Sequence, residues 1–380
     1  MFHGAEIVLG RRPEGEKDLR VVIVSGREPE GRKDPITDSD VIISAARSLR
    51  EGKRGPGDGA VLTEDIPAFK SDCSFCPGNE EETPNELVSF RTNPYDQASW
   101  ISRGFPNKWP ILALEARGEH DWKNLAFGVN EIVVETPRHN GFLTSLSPEE
   151  ISGALEVIVN RYFSLRRDAK LEWFSVFKNC GRTAGASIEH PHIQIAAKAC
   201  IPKKYRGRYL LAQEYFWNEG NCLCCDQIKR HRKIDEDKKI NQIVLETKHF
   251  VLLVPYEARM PYHMRIFPTA HKPSFAHMLR DNEEVRYDFA DVLKKMIFLF
   301  KVAVQGEDFG RYSDPTYNLY IETSPFKDDH KESFFHWHVE FHGKTTIEAG
   351  YEQHTGEFVN PTYPEEIAEQ LREIASVHLK

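Results

Sequence analysis

Four cysteines stand as two Cys-x-x-Cys pairs, Cys73/Cys76 and Cys222/Cys225, and histidines follow each pair in the same order. His139 and then His190/His192 come after the first pair; His271 and then His336/His338 come after the second. Thiolates and imidazoles are the donors of a tetrahedral zinc site, which needs four of them, and a C-x-x-C turn aims two thiolates at one point. The expected ligand sets are therefore Cys73, Cys76, His139, His190 and Cys222, Cys225, His271, His336. Cys224 competes within Cys222-Leu223-Cys224-Cys225, and the spacing shared with the first copy selects 222 and 225. Zinc suits these donors, with iron the alternative at the second site. The remaining cysteines, Cys180 and Cys200, lack such spacing and read as small buried residues.

The densest stretch of reactive groups is Phe177-Lys178-Asn179-Cys180-Gly181-Arg182-Thr183-Ala184-Gly185-Ala186-Ser187-Ile188-Glu189-His190-Pro191-His192-Ile193-Gln194. It reads as strand, glycine-rich turn, strand. Gly181, Gly185 and Ser187 offer backbone and hydroxyl donors able to approach phosphate oxygens closely. Side chains alternate along a strand, so His190, His192 and Gln194 share a face. An imidazole on that face is a neutral nucleophile near pH 7 suited to phosphorus, and an amide two residues on is a donor for the phosphoryl oxygens.

The elements that must position these groups are legible around them. Asn130 to Glu135, Trp173 to Lys178 and Ile193 to Ala197 read as strands, and Ser147-Pro148-Glu149-Glu150 opens an amphipathic helix through Ile151, Leu155, Ile158, Val159 and Tyr162. Further strands are expected at Leu19 to Val24, Val41 to Ser44, Val251 to Pro255, Met264 to Pro268 and Phe334 to Phe341. Helices are expected over Asp281 to Phe300 and from Pro364-Glu365-Glu366 onward, and a glycine-rich loop at 52–59. The repeated order of ligand types implies internal duplication of one α+β unit. Of the 380 residues 40% are hydrophobic and 28% charged, which excludes disorder, collagen repeats and coiled coils. The net charge of −8 argues against a duplex nucleic-acid partner. No apolar run approaches the ~20 residues of a membrane helix, and no signal-peptide layout opens the chain, so a cytoplasmic protein is expected.

His-Pro-His-x-Gln, preceded by Phe-x-Asn-x-Gly and Gly-x-Ser, resembles the galactose-1-phosphate uridylyltransferase family of the histidine-triad superfamily. Asp34-Pro35-Ile36-Thr37 with Arg47 and Arg50, Phe105-Pro106-Asn107-Lys108, Glu135-Thr136-Pro137-Arg138-His139, Pro268-Thr269-Ala270-His271 and Gly350-Tyr351-Glu352 follow in the family order. Ile193 replaces the family's Gly after the second His, which bears on the fit of base or sugar. Ala184-Gly185-Ala186-Ser187, the second C-x-x-C and the segment Thr355 to Pro361 look like the branch that includes ADP-glucose phosphorylase. The resemblance implies an α+β fold of two tandem histidine-triad-like units, each an antiparallel sheet with flanking helices, at 34–206 and 207–380 after an extension over 1–33. It also implies ping-pong chemistry: His192 takes the nucleotidyl group of a nucleotide sugar and passes it to hexose 1-phosphate. Gln194 and Ser187 would stabilise the transferred group, and Arg47, Arg50, Asn107, Asn179, Gly185, Tyr351 and Glu352 would bind substrate. The two arginines would reach across a homodimer, and both zinc sites would be structural. The alternatives are a phosphorylase with inorganic phosphate as acceptor, a nucleotide hydrolase, and a catalytically silent zinc-stabilised nucleotide-binding protein. His336-Trp337-His338-Val339-Glu340 reads as a degenerate copy, because Glu340 stands where Gln is expected.

Overall fold

Ser147 caps the first long helix, α1 (Pro148–Leu165), as its sequence requires: its hydroxyl accepts from the Glu150 N–H and the Glu150 carboxylate accepts from the Ser147 N–H. The structure, a computed structural model, describes residues 29–45, 61–114, 126–232, 241–329 and 334–379. The strand expected at Leu19 to Val24, the glycine-rich loop, Arg47 and Arg50 lie outside the described residues.

Among the described residues thirteen strands form two sheets. The small one holds β1 (Glu30–Lys33), β2 (Asp40–Ile43) and β13 (Phe358–Asn360). The large one contains, in chain order, β3 (Val88–Arg91), β4 (Trp100–Pro106), β5 (Gly128–Val134), β6 (Trp173–Cys180) and β7 (His192–Lys198), then β8 (Ile243–Glu246), β9 (Phe250–Leu253), β10 (His263–Pro268), β11 (Tyr317–Glu322) and β12 (His338–Gly343). Its spatial order is β3-β4-β5-β7-β6-β11-β12-β10-β9-β8, so each half of the chain contributes five strands in mirrored order. The expected duplication is there, but the two units share one antiparallel sheet: β6 pairs with β11 from Val176↔Ile321 to Cys180↔Tyr317. Joining them satisfies backbone groups that two separate units would leave bare at exposed edges.

One face of this sheet is covered by α1, α5 (Glu283–Gln305) and α7 (Pro364–His378), which pack on one another and on the outer strands. Its apolar core includes Val133, Phe174, Ile195, Met264, Ile266, Leu319, Ile321, Val339 and Phe341. Gly153 lets α1 settle on β3, since a Cβ there would lie 2.6 Å from the Phe90 ring. The other face carries His192 and Gln194 and is covered in part by the Cys73 to Cys76 turn and by α2 (Lys203–Glu219) and α3 (Leu223–Arg232). Two short helices, α4 (Phe275–Leu279) and α6 (Gly350–Thr355), complete the set among the described residues. No helix among the described residues is long and apolar enough to cross a membrane.

The chain also departs from its sequence reading at α2, at the start of β12 and at Ile193. α2 has no side-chain N-cap, and its buried Tyr205, Tyr209 and Ala212 are spaced at helical period within a charged text that hides it. β12 starts at His338 rather than Phe334, because Phe334 and Phe335 pack on Tyr209 and Tyr205. Ile193 points away from the His192 face and packs against the helix-covered core, so its bulk does not enter the site.

Candidate active site

The Cys73 to Cys76 turn is pinned by the Cys76 N–H on the Cys73 carbonyl, at 3.1 Å, and by the Asn79 amide on the same carbonyl, at 2.8 Å. His139 arrives from the loop after β5 with its N–H on Ala68 O, and His190 from the residues before β7. The thiolate to Nδ1 separations are 3.8 Å (Cys73–His190), 3.6 Å (Cys76–His190) and 3.5 Å (Cys76–His139). A tetrahedral zinc with ligands at roughly 2.3 and 2.0 Å needs S···N separations of about 3.6 Å, so the donor set fits. Cys222, Cys225, His271 and His336 converge likewise, at 3.3 to 3.9 Å, from the start of α3 and the loops after β10 and β11. Cys224 is not among the converging donors, which leaves 222 and 225 as the thiol pair. In each set the outer nitrogen of one histidine is fixed by a carbonyl: His190 Nε2 by Thr136 at 2.8 Å and His336 Nε2 by Pro268 at 3.0 Å. Both expected metal groups are thus assembled.

His192 opens β7, is 6% exposed and sets its ring edge-on to Phe75 at 5.4 Å. Its Nδ1–H donates to the His190 carbonyl at 2.9 Å, which leaves the lone pair on Nε2. Burial, reinforced by the nearby Lys178 ammonium and opposed by that carbonyl, lowers its pKa to about 4, so the ring is neutral near pH 7. Gln194, half-buried, lies on the same face, flanked by Ile132 of β5 and Phe177 of β6.

The loop between β6 and β7 differs from its sequence reading. Gly181 (φ +82°) and Gly185 (φ +92°) bracket a 3-10 turn whose Ala184, Gly185 and Ala186 N–H groups bond back to the carbonyls of residues 181 and 182. Those donors are consumed within the turn, so the expectation that the glycine backbone offers them to phosphate fails. Gly181 itself is required, because a Cβ would lie 2.5 Å from Thr316 Oγ1. Ser187 is exposed. Asn179 accepts from Asn318 Nδ2 at 2.8 Å, and Asn318 also holds the Ala184 carbonyl. Sequence reasoning missed Asn318, which arrives from β11 of the other half. It also missed Phe75 and the buried Lys178–Glu135 ion pair. Asn107 donates to Asn130 and accepts from the Trp109 N–H, so its amide shapes the loop after β4. Glu352 caps its own helix at Ala349 N, and the Tyr351 hydroxyl donates to Glu357. These two lie on α6, which feeds β13 of the small sheet, and within one chain they form no hydrogen bond to the His192 strand.

In the second half the His338 Nδ1–H donates to the His336 carbonyl at 3.1 Å, repeating the His192 geometry. Glu340, however, is buried among charges. It accepts from Arg265 Nε at 2.9 Å and His263 Nε2 at 2.5 Å, and Arg265 pairs in turn with Asp34. Arg259 contacts both Glu340 and His342. The group His263, Glu340, His342 converges as a metal site would, but guanidiniums already occupy it.

A family model described as the galactose-1-phosphate uridyl transferase N-terminal domain matches residues 25–202, and its C-terminal counterpart matches 210–380. The chain belongs to the galactose-1-phosphate uridyl transferase family. Among its relatives, an ADP-glucose phosphorylase from Arabidopsis thaliana is 31% identical over 351 residues, 90% of this chain and 92% of that protein. A galactose-1-phosphate uridylyltransferase from Thermotoga maritima is 30% identical over 355 residues, 90% of this chain and 96% of that one. The structure of an Arabidopsis thaliana ADP-glucose phosphorylase with bound ADP-glucose superposes with a TM-score of 0.74 at 30% identity, covering 91% of this chain and 99% of that one. Family membership makes the chain a nucleotidyltransferase with an α+β histidine-triad fold, as its sequence resemblance implied.

Proposed function

We propose that the chain moves a nucleoside monophosphate from a nucleotide sugar to the phosphate of a hexose 1-phosphate through a covalent nucleotidyl-His192. The observation that carries this is the single tautomer of a buried, neutral His192, with Nδ1–H committed to a carbonyl and Nε2 uncommitted. The Nε2 lone pair forms a bond to the α-phosphorus. The bond from that phosphorus to the bridging oxygen breaks, and hexose 1-phosphate leaves with the electron pair. As the ring becomes cationic, the His190 carbonyl already faces the Nδ1 proton and stabilises the charge without reorganising. An acceptor phosphate oxygen then attacks the same phosphorus and returns the pair to Nε2. Gln194 and Ser187 are assigned to the non-bridging oxygens, and Asn179 and Asn107 to nucleotide binding.

The two Cys/His groups are assigned to zinc. Metal bound by four protein ligands supplies rigidity rather than a Lewis acid, since no position is left open. Arg47, Arg50, Tyr351 and Glu352 are assigned to a homodimer, in which one protomer completes the other's site. The units 34–206 and 207–380 remain part of this proposal.

The second reading is a phosphorylase that uses inorganic phosphate as acceptor and an adenine donor. Its support is the likeness to ADP-glucose phosphorylase in sequence and fold. Incubation with UDP-glucose or ADP-glucose, followed by intact mass measurement, tests both readings. A uridylyl or adenylyl increment is expected in the wild type and not in His192→Ala. Discharge of that adduct by galactose 1-phosphate supports the first reading, and discharge by phosphate the second. Absence of an increment with either donor overturns covalent transfer.

A further inference from the structure

A buried ion pair lies behind the strand that carries His192. Lys178 on β6 donates to Glu135, the residue after β5, and their side chains are only 5% and 3% exposed. The sheet order places β7 between β5 and β6, so this pair spans the catalytic strand from one neighbour to the other. Lys178 lies next to Phe177, which faces Gln194, and strand alternation therefore puts it on the opposite face from His192. Its ammonium also reaches the His192 carbonyl at 3.5 Å, and the Glu135 N–H donates to the Pro191 carbonyl at 3.2 Å. Residues 190 to 192 are thus held at three consecutive carbonyls: His190 by the His192 ring, Pro191 by the Glu135 backbone and His192 by Lys178.

Burying two charges is costly, and a buried pair is often no more stable than apolar residues of equal volume. The second half shows the apolar solution. Tyr320 faces Glu340 as Phe177 faces Gln194, so Ile321 stands where Lys178 does, and it packs in the apolar core. The half that fills this position with isoleucine is the half whose histidine lies beside a network of committed charges.

We propose that Lys178 and Glu135 form a positioning pair, which holds the His192 backbone in the register from which Nε2 meets the α-phosphorus. This rests on the nucleotidyl-His192 reading above. The pair touches no substrate, so its loss slows chemistry without weakening donor binding. The test is single-turnover formation of the nucleotidyl-enzyme, followed by intact mass, beside donor affinity measured by calorimetry in the His192→Ala background. Lys178→Met with Glu135→Gln removes both charges together and leaves no unpaired ion, and misplacement of the nucleophile should cost about 10²-fold in adduct formation. Glu135→Gln alone keeps the shape and a neutral hydrogen bond but leaves the Lys178 charge without its carboxylate, and about a tenfold loss is expected in protein shown to be folded by circular dichroism. Donor affinity should stay within about twofold in both, because neither residue binds substrate. Wild-type rates in both variants, or a loss confined to donor affinity, would overturn the positioning role. No adduct in the wild-type protein would overturn the covalent reading, and this inference with it.

Discussion

The two halves build the same frame and use it differently. Each has a thiol pair, a histidine fixed by a carbonyl through its outer nitrogen, and a second histidine whose Nδ1–H returns to the carbonyl two residues back. In the first half the next residue on that face is the neutral, half-buried Gln194. In the second it is Glu340, buried and held well below the usual carboxylate range: burial alone would raise it, but Arg265 and His263 overcome that. A polar group left uncommitted in a cleft can serve a ligand, whereas charges that satisfy one another serve the fold. The metal frame is thus common to both copies, whereas the first alone has a neutral amide beside its second histidine, as the proposed transfer requires.

The sharpest way to break this comparison is to exchange roles at the histidines. His192→Ala should lower transfer by at least about 10⁴-fold, while His338→Ala should leave turnover within about twofold. Comparable losses in both, read in a coupled assay, would mean that the second half carries chemistry. Gln194→Glu makes the first half resemble the second, placing a negative charge where phosphoryl oxygens gather. A fall of about 10²–10³ in kcat is expected, the scale of losing one preorganised donor. Glu340→Gln attempts the reverse and should not create a site. It breaks a fully buried ion pair and is expected to cost about 3–5 kcal/mol in urea unfolding, with adduct still only on His192.

The smallest effect concerns acid. Burial lowers the His263 pKa to about 4, against partial opposition from Glu340, while the unfolded chain takes up that proton near 6.5. The unfolded state therefore binds more protons in this window, and stability falls as pH drops from about 6.5 toward 4. Asp34 follows at lower pH: burial would raise it, but Arg265 holds it at about 2. Unfolding midpoints against pH should be flatter between 4 and 6.5 in His263→Gln than in the wild type. Parallel curves would remove His263 from the acid response.

Much of this was readable in the chain. Ligand type and order marked both metal groups, because thiols and imidazoles at such spacing have few other uses. The Ser147 cap and Pro148 start of α1 and the alternation of β7 are local signals, and both appear where the text places them. The same alternation, applied one residue further, would have turned Ile193 into the core. α2 was illegible because charges mask its apolar period, and Asn318 because its reach to Asn179 crosses from one half to the other.

The sequence by itself determined the family, the duplication, the two donor sets and the side of the strand on which His192 and Gln194 lie, since these follow from residue type and short-range period. Tertiary structure alone decided that the two units fuse into one sheet through β6 and β11, that Lys178 finds Glu135 across the strand that carries His192, and that Glu340 is consumed by arginines. It also decided that His192 is neutral. Charge state and partner choice depend on burial and on groups distant in sequence, and no local pattern records either.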